Sequence, residues 1–241
     1  MCTVSYIPGK TKGDFVLTSN RDEKSFRATI SPQIYEVENK QLAFPKDELA
    51  GGSWIAANNK GRICCLLNGA FVAHQKKSVY VQSRGKILID LVASNSEPKH
   101  YFEEKNLVNV EPFTIISIDK KEEQIIGFSE FIWDGNKKHF RELNPNESLI
   151  WSSVTLYKTE HRKLRNDWFE EFLHEIKTNI TSENILAFHT GTHTNNGSIN
   201  VVMERDEGIK TVSVTQVFPK NGEFIMKYLD LQNHTSEVLK I

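Results

Sequence analysis

The chain reads as an α+β domain built from layered, largely antiparallel sheets with its helices kept apart from the strands. Two observations carry that expectation. Strand-like segments arrive as neighbouring hairpins and not in β–α–β alternation, and about eight or more of them surround three or four helical stretches in the middle of the chain. No internal repeat, low-complexity tract or Pro/Ser-rich linker divides the 241 residues, so residues 1–241 are expected to form a single domain. Two sheets stacked between helix layers would suit this length.

The elements follow in order. Cys2 to Ile7 is short and apolar, Gly9 to Gly13 makes a turn, and Phe15–Ser19 returns as a second strand. Ser53–Ala57 and Arg62–Asn68 form another hairpin around the turn chemistry of Asn58-Asn59-Lys60-Gly61. Over residues 84–94, Ile87, Leu88, Leu91 and Val92 share one helical face. A second helix is expected from an N-cap at Ser96, with Pro98 in its first turn. Phe113–Ile118 and Gln124–Phe128 make a third strand pair, and Leu149–Ser153 a short strand. The longest helix spans 159–177, with Leu164, Trp168, Phe172 and Ile176 as its apolar stripe, widened by Phe169 and Leu173. The tail offers three β segments, 198–204, 210–218 and 223–231.

Composition narrows function. Thirty Lys and Arg against 31 Asp and Glu leave a formal charge of −1. That balance argues against a nucleic-acid binder and gives no general attraction to an anionic membrane. No apolar run approaches the roughly 18 residues of a membrane helix. The start, MCTVSYIPGKTKGDFV, lacks a basic region followed by a long apolar one. Three cysteines fit a reducing compartment, and the expected location is the cytoplasm.

Chemistry concentrates at a few positions. Removal of Met1, which a small second residue permits, gives Cys2 a thiol and a free α-amine. An amine with an ordinary pKa of about 7.7–8.0 is matched to take the proton of a thiol near 8.5. The string Ser19-Asn20-Arg21-Asp22-Glu23 ends the second strand, which the first hairpin returns beside residue 2. There Arg21 would lower a nearby thiol pKa and Asp22 would orient the amine. The competing reading is a solvated turn with a local ion pair. Asn68, at a strand end, would donate to a developing oxyanion or cap a turn. His189 and His193 stand four apart, but Gly191 and Gly197 make a loop of that segment, so no metal site is expected. Adjacent Cys64 and Cys65 lie in an apolar strand and should face opposite sides as buried small hydrophobes.

Taken together, Met1-Cys2-Thr3, Asn20-Arg21-Asp22-Glu23, Gly51-Gly52-Ser53-Trp54, Lys60-Gly61 to Asn68, Ser83-Arg84-Gly85 and Gly191-Thr192-His193-Thr194-Asn195 resemble the NRDE family of transport and Golgi organization 2-like proteins. That family looks related to the N-terminal-nucleophile hydrolases, in particular the choloylglycine hydrolase and penicillin acylase branch. The resemblance implies a four-layer αββα sandwich. It also implies Cys2, Asp22 and Asn68 as catalytic residues, and Asn20, Arg21, Trp54, Ser153, His193 and Asn195 as substrate-binding ones, with no cofactor. The implied reaction is cleavage of an amide or thioester bond of a small-molecule acyl substrate through an acyl-Cys2 intermediate. The alternative is a non-catalytic carrier of a hydrophobic ligand, haem or a lipid, for which His189, His193 and Cys2 are conceivable haem contacts. Three positions depart from the branch pattern: Ser19 stands where an arginine is expected, Ser153 near an expected asparagine, and His193 in place of an arginine.

Overall fold

The computed structural model describes residues 3–177 and 180–241. Thirteen strands and four helices are present among them. Strands β1 (Thr3–Pro8), β2 (Phe15–Lys24), β10 (Leu149–Ser152), β11 (Ile209–Lys220), β12 (Glu223–Asp230) and β13 (Thr235–Lys240) form a first sheet in the order β10-β1-β2-β11-β12-β13. Strands β3 (Thr29–Val37), β4 (Lys40–Asp47), β5 (Ile55–Asn58), β6 (Arg62–Asn68), β7 (Phe113–Lys121), β8 (Gln124–Trp133) and β9 (Lys138–Glu142) form the second in sequence order. Every neighbouring pair is antiparallel. Helices α1 (Arg84–Ala93) and α2 (Pro98–Glu104) cover the second sheet, while α3 (Thr159–Ile176) and α4 (Ser182–Thr190) cover the first. The result is a four-layer αββα sandwich.

Alternation along each strand builds three apolar layers. Val4, Tyr6, Leu17, Ile55, Cys65 and Ile116 fill the space between the sheets. Leu42, Cys64, Ile87, Leu88, Phe102 and Phe131 join the second sheet to α1 and α2. Ile7, Val16, Phe169, Ile185, Phe188 and Val201 join the first sheet to α4 and α3. Cys64 and Cys65 therefore fall in different layers, as strand geometry requires.

Several expectations change. The second strand runs on to Lys24, so Asn20-Arg21-Asp22 is strand and not a solvated turn, and all three residues are buried. The hairpin β3–β4 turns on Glu38 and Asn39, both at positive φ, where no glycine marks it. Helix α2 is capped by Glu97 and not Ser96; its carboxylate accepts from the Lys99 and His100 N–H groups, a placement the helix dipole favours. Helix α3 buries Arg165 and Phe169 most fully, leaving Leu164 at 39% exposure, so its inner face is rotated from the expected stripe. Residues 198–204 form no strand beyond a single bridge from Glu204 to Lys210. Side chains hold that backbone instead: Arg165 takes the Ile199 and Asn200 carbonyls, and Asn20 takes the Val201 carbonyl.

Candidate active site

The strand registers bring the start of β1 and the ends of β2, β4, β6 and β10 to one end of the sandwich. Thr3 pairs with Asn20 on one side and Ser152 on the other. Two cross-links tie the sheets there: Arg21 Nη2 meets Asp47 Oδ2 at 2.6 Å, and Ser153 Oγ donates to the Asn68 carbonyl at 2.8 Å. Cys2, the expected nucleophile, lies outside the described residues.

Two cavities open at this end, and Asn68 lines both. The larger, about 500 Å3, has an apolar wall of Phe71, Ile132, Phe140, Ile150 and Trp151, faced by the polar and charged side chains of Glu130, His139, Arg141, Ser153, Arg162 and Asn166. The smaller, about 370 Å3, is ringed by Arg21, Arg27, Lys76 and Arg84 against Glu23, Asp47 and Glu111, with Trp54 in its wall. Asn68 lends its backbone carbonyl to Ser153, and among the described residues no hydrogen bond engages its side-chain amide.

Alternation splits the Asn20-Arg21-Asp22 string. Arg21 turns toward the second sheet, its guanidinium over the Trp54 ring at 4.6 Å and bonded to Thr29 Oγ1 and the Arg27 carbonyl. Burial alone would raise the Asp47 pKa, but the Ala50 N–H and the guanidiniums of Arg27 and Arg21 outweigh it and hold the carboxyl below its usual range. Asp22 turns the other way. Tyr157 Oη donates to its Oδ2 at 2.8 Å and Thr211 Oγ1 to its Oδ1 at 2.6 Å.

Asn20, fully buried, is bonded to the far layer. Its Nδ2 donates to the His189 carbonyl at 3.0 Å and the Val201 carbonyl at 3.1 Å, which fixes the orientation of the amide. Its Oδ1 must then accept from His189 Nδ1, and His189 Nε2 accepts from Ser5 Oγ at 2.7 Å. Burial, followed by the charges of Arg165 and His193, pushes the His189 pKa down to about 3. With both ring nitrogens spent inside the protein, His189 is not placed to ligate haem.

His193 also lies away from the cleft. It stacks on Trp168 at 5.5 Å, its Nε2 bonds to the Phe188 carbonyl, and it faces a groove between α3 and α4. Asn195 is exposed on the following loop. Neither lines the two cavities that meet at Asn68. Arg21, Trp54, Asn68 and Ser153 do.

Several residues here escaped sequence reasoning. Asp47 sits on a hairpin that carried no turn signal. Tyr157 and Thr211 hold Asp22. Arg165, fully buried on α3, donates to Thr3 Oγ1 and stacks on Tyr157 at 3.6 Å. An arginine inside an apolar helical face was the available signal for it. Among the described residues no three His, Cys, Asp or Glu side chains gather as a metal site, and no helix is long and apolar enough to cross a membrane.

Comparison with known proteins agrees with this architecture. A Caenorhabditis elegans N-acylethanolamine-hydrolyzing acid amidase ortholog superposes with a TM-score of 0.61 at 13% identity, over 89% of this chain and 92% of that one. An arginine-to-leucine variant of conjugated bile acid hydrolase from Clostridium perfringens gives 0.61 at 11% identity, over 99% and 92%. A cysteine-to-alanine variant of the same enzyme gives 0.60 at 10% identity, over 100% and 92%. At such identities the likeness is one of fold, that of the N-terminal-nucleophile hydrolases. No curated protein matches the chain in sequence. The family model for Transport and Golgi organisation 2 matches residues 1–233, nearly the whole length, and the chain belongs to that family.

Proposed function

We propose that the protein is an N-terminal-cysteine hydrolase that cleaves an amide or thioester bond of a small-molecule acyl substrate. One observation carries the reading: β1 begins at Thr3, between Asn20 and Ser152, at the end of the sandwich where two cavities meet at Asn68. The reading needs the Cys2 thiol between those cavities and its α-amine freed by loss of Met1.

In this scheme the neutral α-amine takes the thiol proton, and the thiolate attacks the substrate carbonyl. The Asn68 amide donates to the oxygen as it becomes negative, a contribution of about 3–4 kcal/mol in working sites. Collapse expels the amine or thiol, which leaves with the proton from the ammonium. Water, deprotonated by the same amine, then attacks the acyl-cysteine, and the acid and the Cys2 thiol are released. Asp22, held by Tyr157 and Thr211, orients the α-amine, and the Arg21 guanidinium favours the thiolate. The acyl group lies along the aromatic wall of the larger cavity, and the leaving group occupies the smaller one.

The test is turnover of acyl amides and acyl thioesters by the wild type and a Cys2→Ala variant, beside mass mapping of a limiting thiol electrophile. Burial pushes the thiols of Cys64 and Cys65 up to about 12, so neither competes for the label at neutral pH. The expected result is labelling at Cys2 alone and a loss of turnover of at least about 10³-fold in the variant. Equal rates in the two proteins would sink the proposal. The aromatic wall of the larger cavity favours a second reading, a carrier of a lipid or acyl ligand. That reading expects saturable ligand binding by the Cys2→Ala protein and no hydrolysis by the wild type.

A further inference from the structure

The loop from Gly69 to Ser83 joins β6 to α1 and separates the mouths of the two cavities. It carries no helix or strand, and a connection of this length inside a domain usually has a function. Its valines point outward, Val72 at 74% exposure, Val79 at 76% and Val81 at 69%, while half-exposed Phe71 stands at the mouth of the larger cavity. Neighbouring loops extend the patch. The Val81 N–H donates to the Asn109 carbonyl, which sets exposed Val108 beside it. Leu49 and Phe26 are exposed on two further loops of the same end, joined by the Glu48 N–H to the Ala28 carbonyl. Six of the eleven large apolar side chains exposed among the described residues thus stand on loops beside the cleft, while Phe26 borders a separate hollow with Val212 and Tyr228. Scattered surface apolars need no explanation, but a gathering at one end does.

Charge along the central loop is one-sided, although exposed Glu48 stands beside Leu49 at the edge of the patch. From Leu49 to Ile89 the chain holds no Asp or Glu, yet Lys76, Lys77 and Lys86 are exposed there. Arg84 and His74 are matched by Glu111, so the three lysines are the surplus. The whole-chain charge of −1 conceals this local excess. Exposed valines and a phenylalanine beside unmatched lysines are the composition of a segment that lies in a lipid interface, where apolar side chains enter the headgroup region and lysines meet anionic heads.

We propose that the loops around the cleft, with residues 69–83 at their centre, dock on an anionic lipid surface. Docked in this way, the larger cavity opens onto the bilayer, and a lipid-borne acyl chain can reach its aromatic wall without crossing water. That last consequence rests on the hydrolase reading; the docking itself does not.

The test is co-sedimentation of the full chain with vesicles of phosphatidylcholine alone and of phosphatidylcholine mixed equally with phosphatidylserine. Binding is expected to the mixed vesicles, weakened by added salt. The combined Val72→Ser, Val79→Ser and Val81→Ser variant is expected to lose at least about 10-fold in vesicle affinity, and Lys77→Gln about 5-fold. All four side chains are exposed and none lines either cavity, so near-UV circular dichroism should be unchanged. Turnover of a water-soluble acyl amide should persist in both variants if the hydrolase reading holds; its absence in the wild type would count against that reading and leave docking untouched. No binding to either vesicle, or binding that the valine changes leave intact, overturns the proposal. So does a wild-type dimer in light scattering that the valine variant converts to monomer, because the patch would then be covered by a second copy.

Discussion

Asp47 receives the Arg21 guanidinium at 2.6 Å, the Arg27 guanidinium at 2.8 Å and the Ala50 N–H at 2.8 Å. The side chains of Arg21 and Asp47 are 3% and 10% exposed, so a charge left alone there meets water only through the smaller cavity. Removing one member of such a buried pair leaves an unpaired charge and costs about 3–5 kcal/mol. Asp47→Ala should therefore lose stability of that order in urea unfolding and loosen Arg21 over Trp54, quenching less of the indole fluorescence. A loss below about 1 kcal/mol would mean the pair is screened as a surface ion pair is. The arginine was legible as a site residue because it stands in the motif. Its partner was not, because Asp47 ends a strand whose hairpin turns on Glu38-Asn39, without the glycine that usually announces such a turn.

Helix α1 meets the loop before β5 backbone to backbone. A Cβ on Gly85 would lie 2.7 Å from the Ser53 carbonyl oxygen and 2.8 Å from its nitrogen, and one on Gly52 would lie 2.6 Å from the Gly85 carbonyl carbon. An alanine in a helix is ordinarily worth about 1 kcal/mol over glycine. Here the clash is with backbone, which cannot move aside, so Gly85→Ala should destabilise by about 1–3 kcal/mol and widen the charged cavity. Gly127→Ala, on strand β8, is the comparison for an added methyl group without a backbone clash, since its Cβ meets only Asp119 side-chain atoms at 3.5 Å or more. Thermal melts of the two variants separate the backbone clash from the general effect of replacing a glycine, and a stabilised Gly85→Ala would show that the loop yields. Such close contact brings the two sequence signals Gly51-Gly52-Ser53 and Ser83-Arg84-Gly85 together in the fold. Elements with simple periodicity, β1, β6, β7 and α1, were legible for the same local reasons. Residues 198–204 were misread because arginine and asparagine side chains, and not a neighbouring strand, satisfy their backbone.

Across the whole molecule, hairpin order was enough to indicate antiparallel sheets with separate helices, while the stacking of four layers came only with the family resemblance. Pattern cannot show which face of a strand meets which layer when both faces are buried. Residues 20–22 illustrate this: Arg21 serves the space between the sheets, and Asn20 serves the helix layer behind. Through Asn20, His189 joins β2 to the end of α4, and through Ser5 it joins β1, so its protonation state matters to the whole sandwich. Its folded pKa is near 3, against about 6.5 in the unfolded chain. Between those values the unfolded state binds a proton that the folded state refuses, so stability rises with pH and is lost as pH falls. The slope contributed is at most about 1.4 kcal/mol per pH unit. Asp47, depressed from the carboxylate range, acts in the same direction but only below about pH 4. Between about pH 4.5 and 6.5, comparison with a variant that lacks the imidazole isolates its contribution. Urea unfolding of the wild type and of His189→Gln across that window should show a variant less stable at pH 7 but flatter by nearly one proton. Equal slopes would mean that His189 takes up its proton in place, and that the Ser5–His189–Asn20 chain tolerates a charge between its layers.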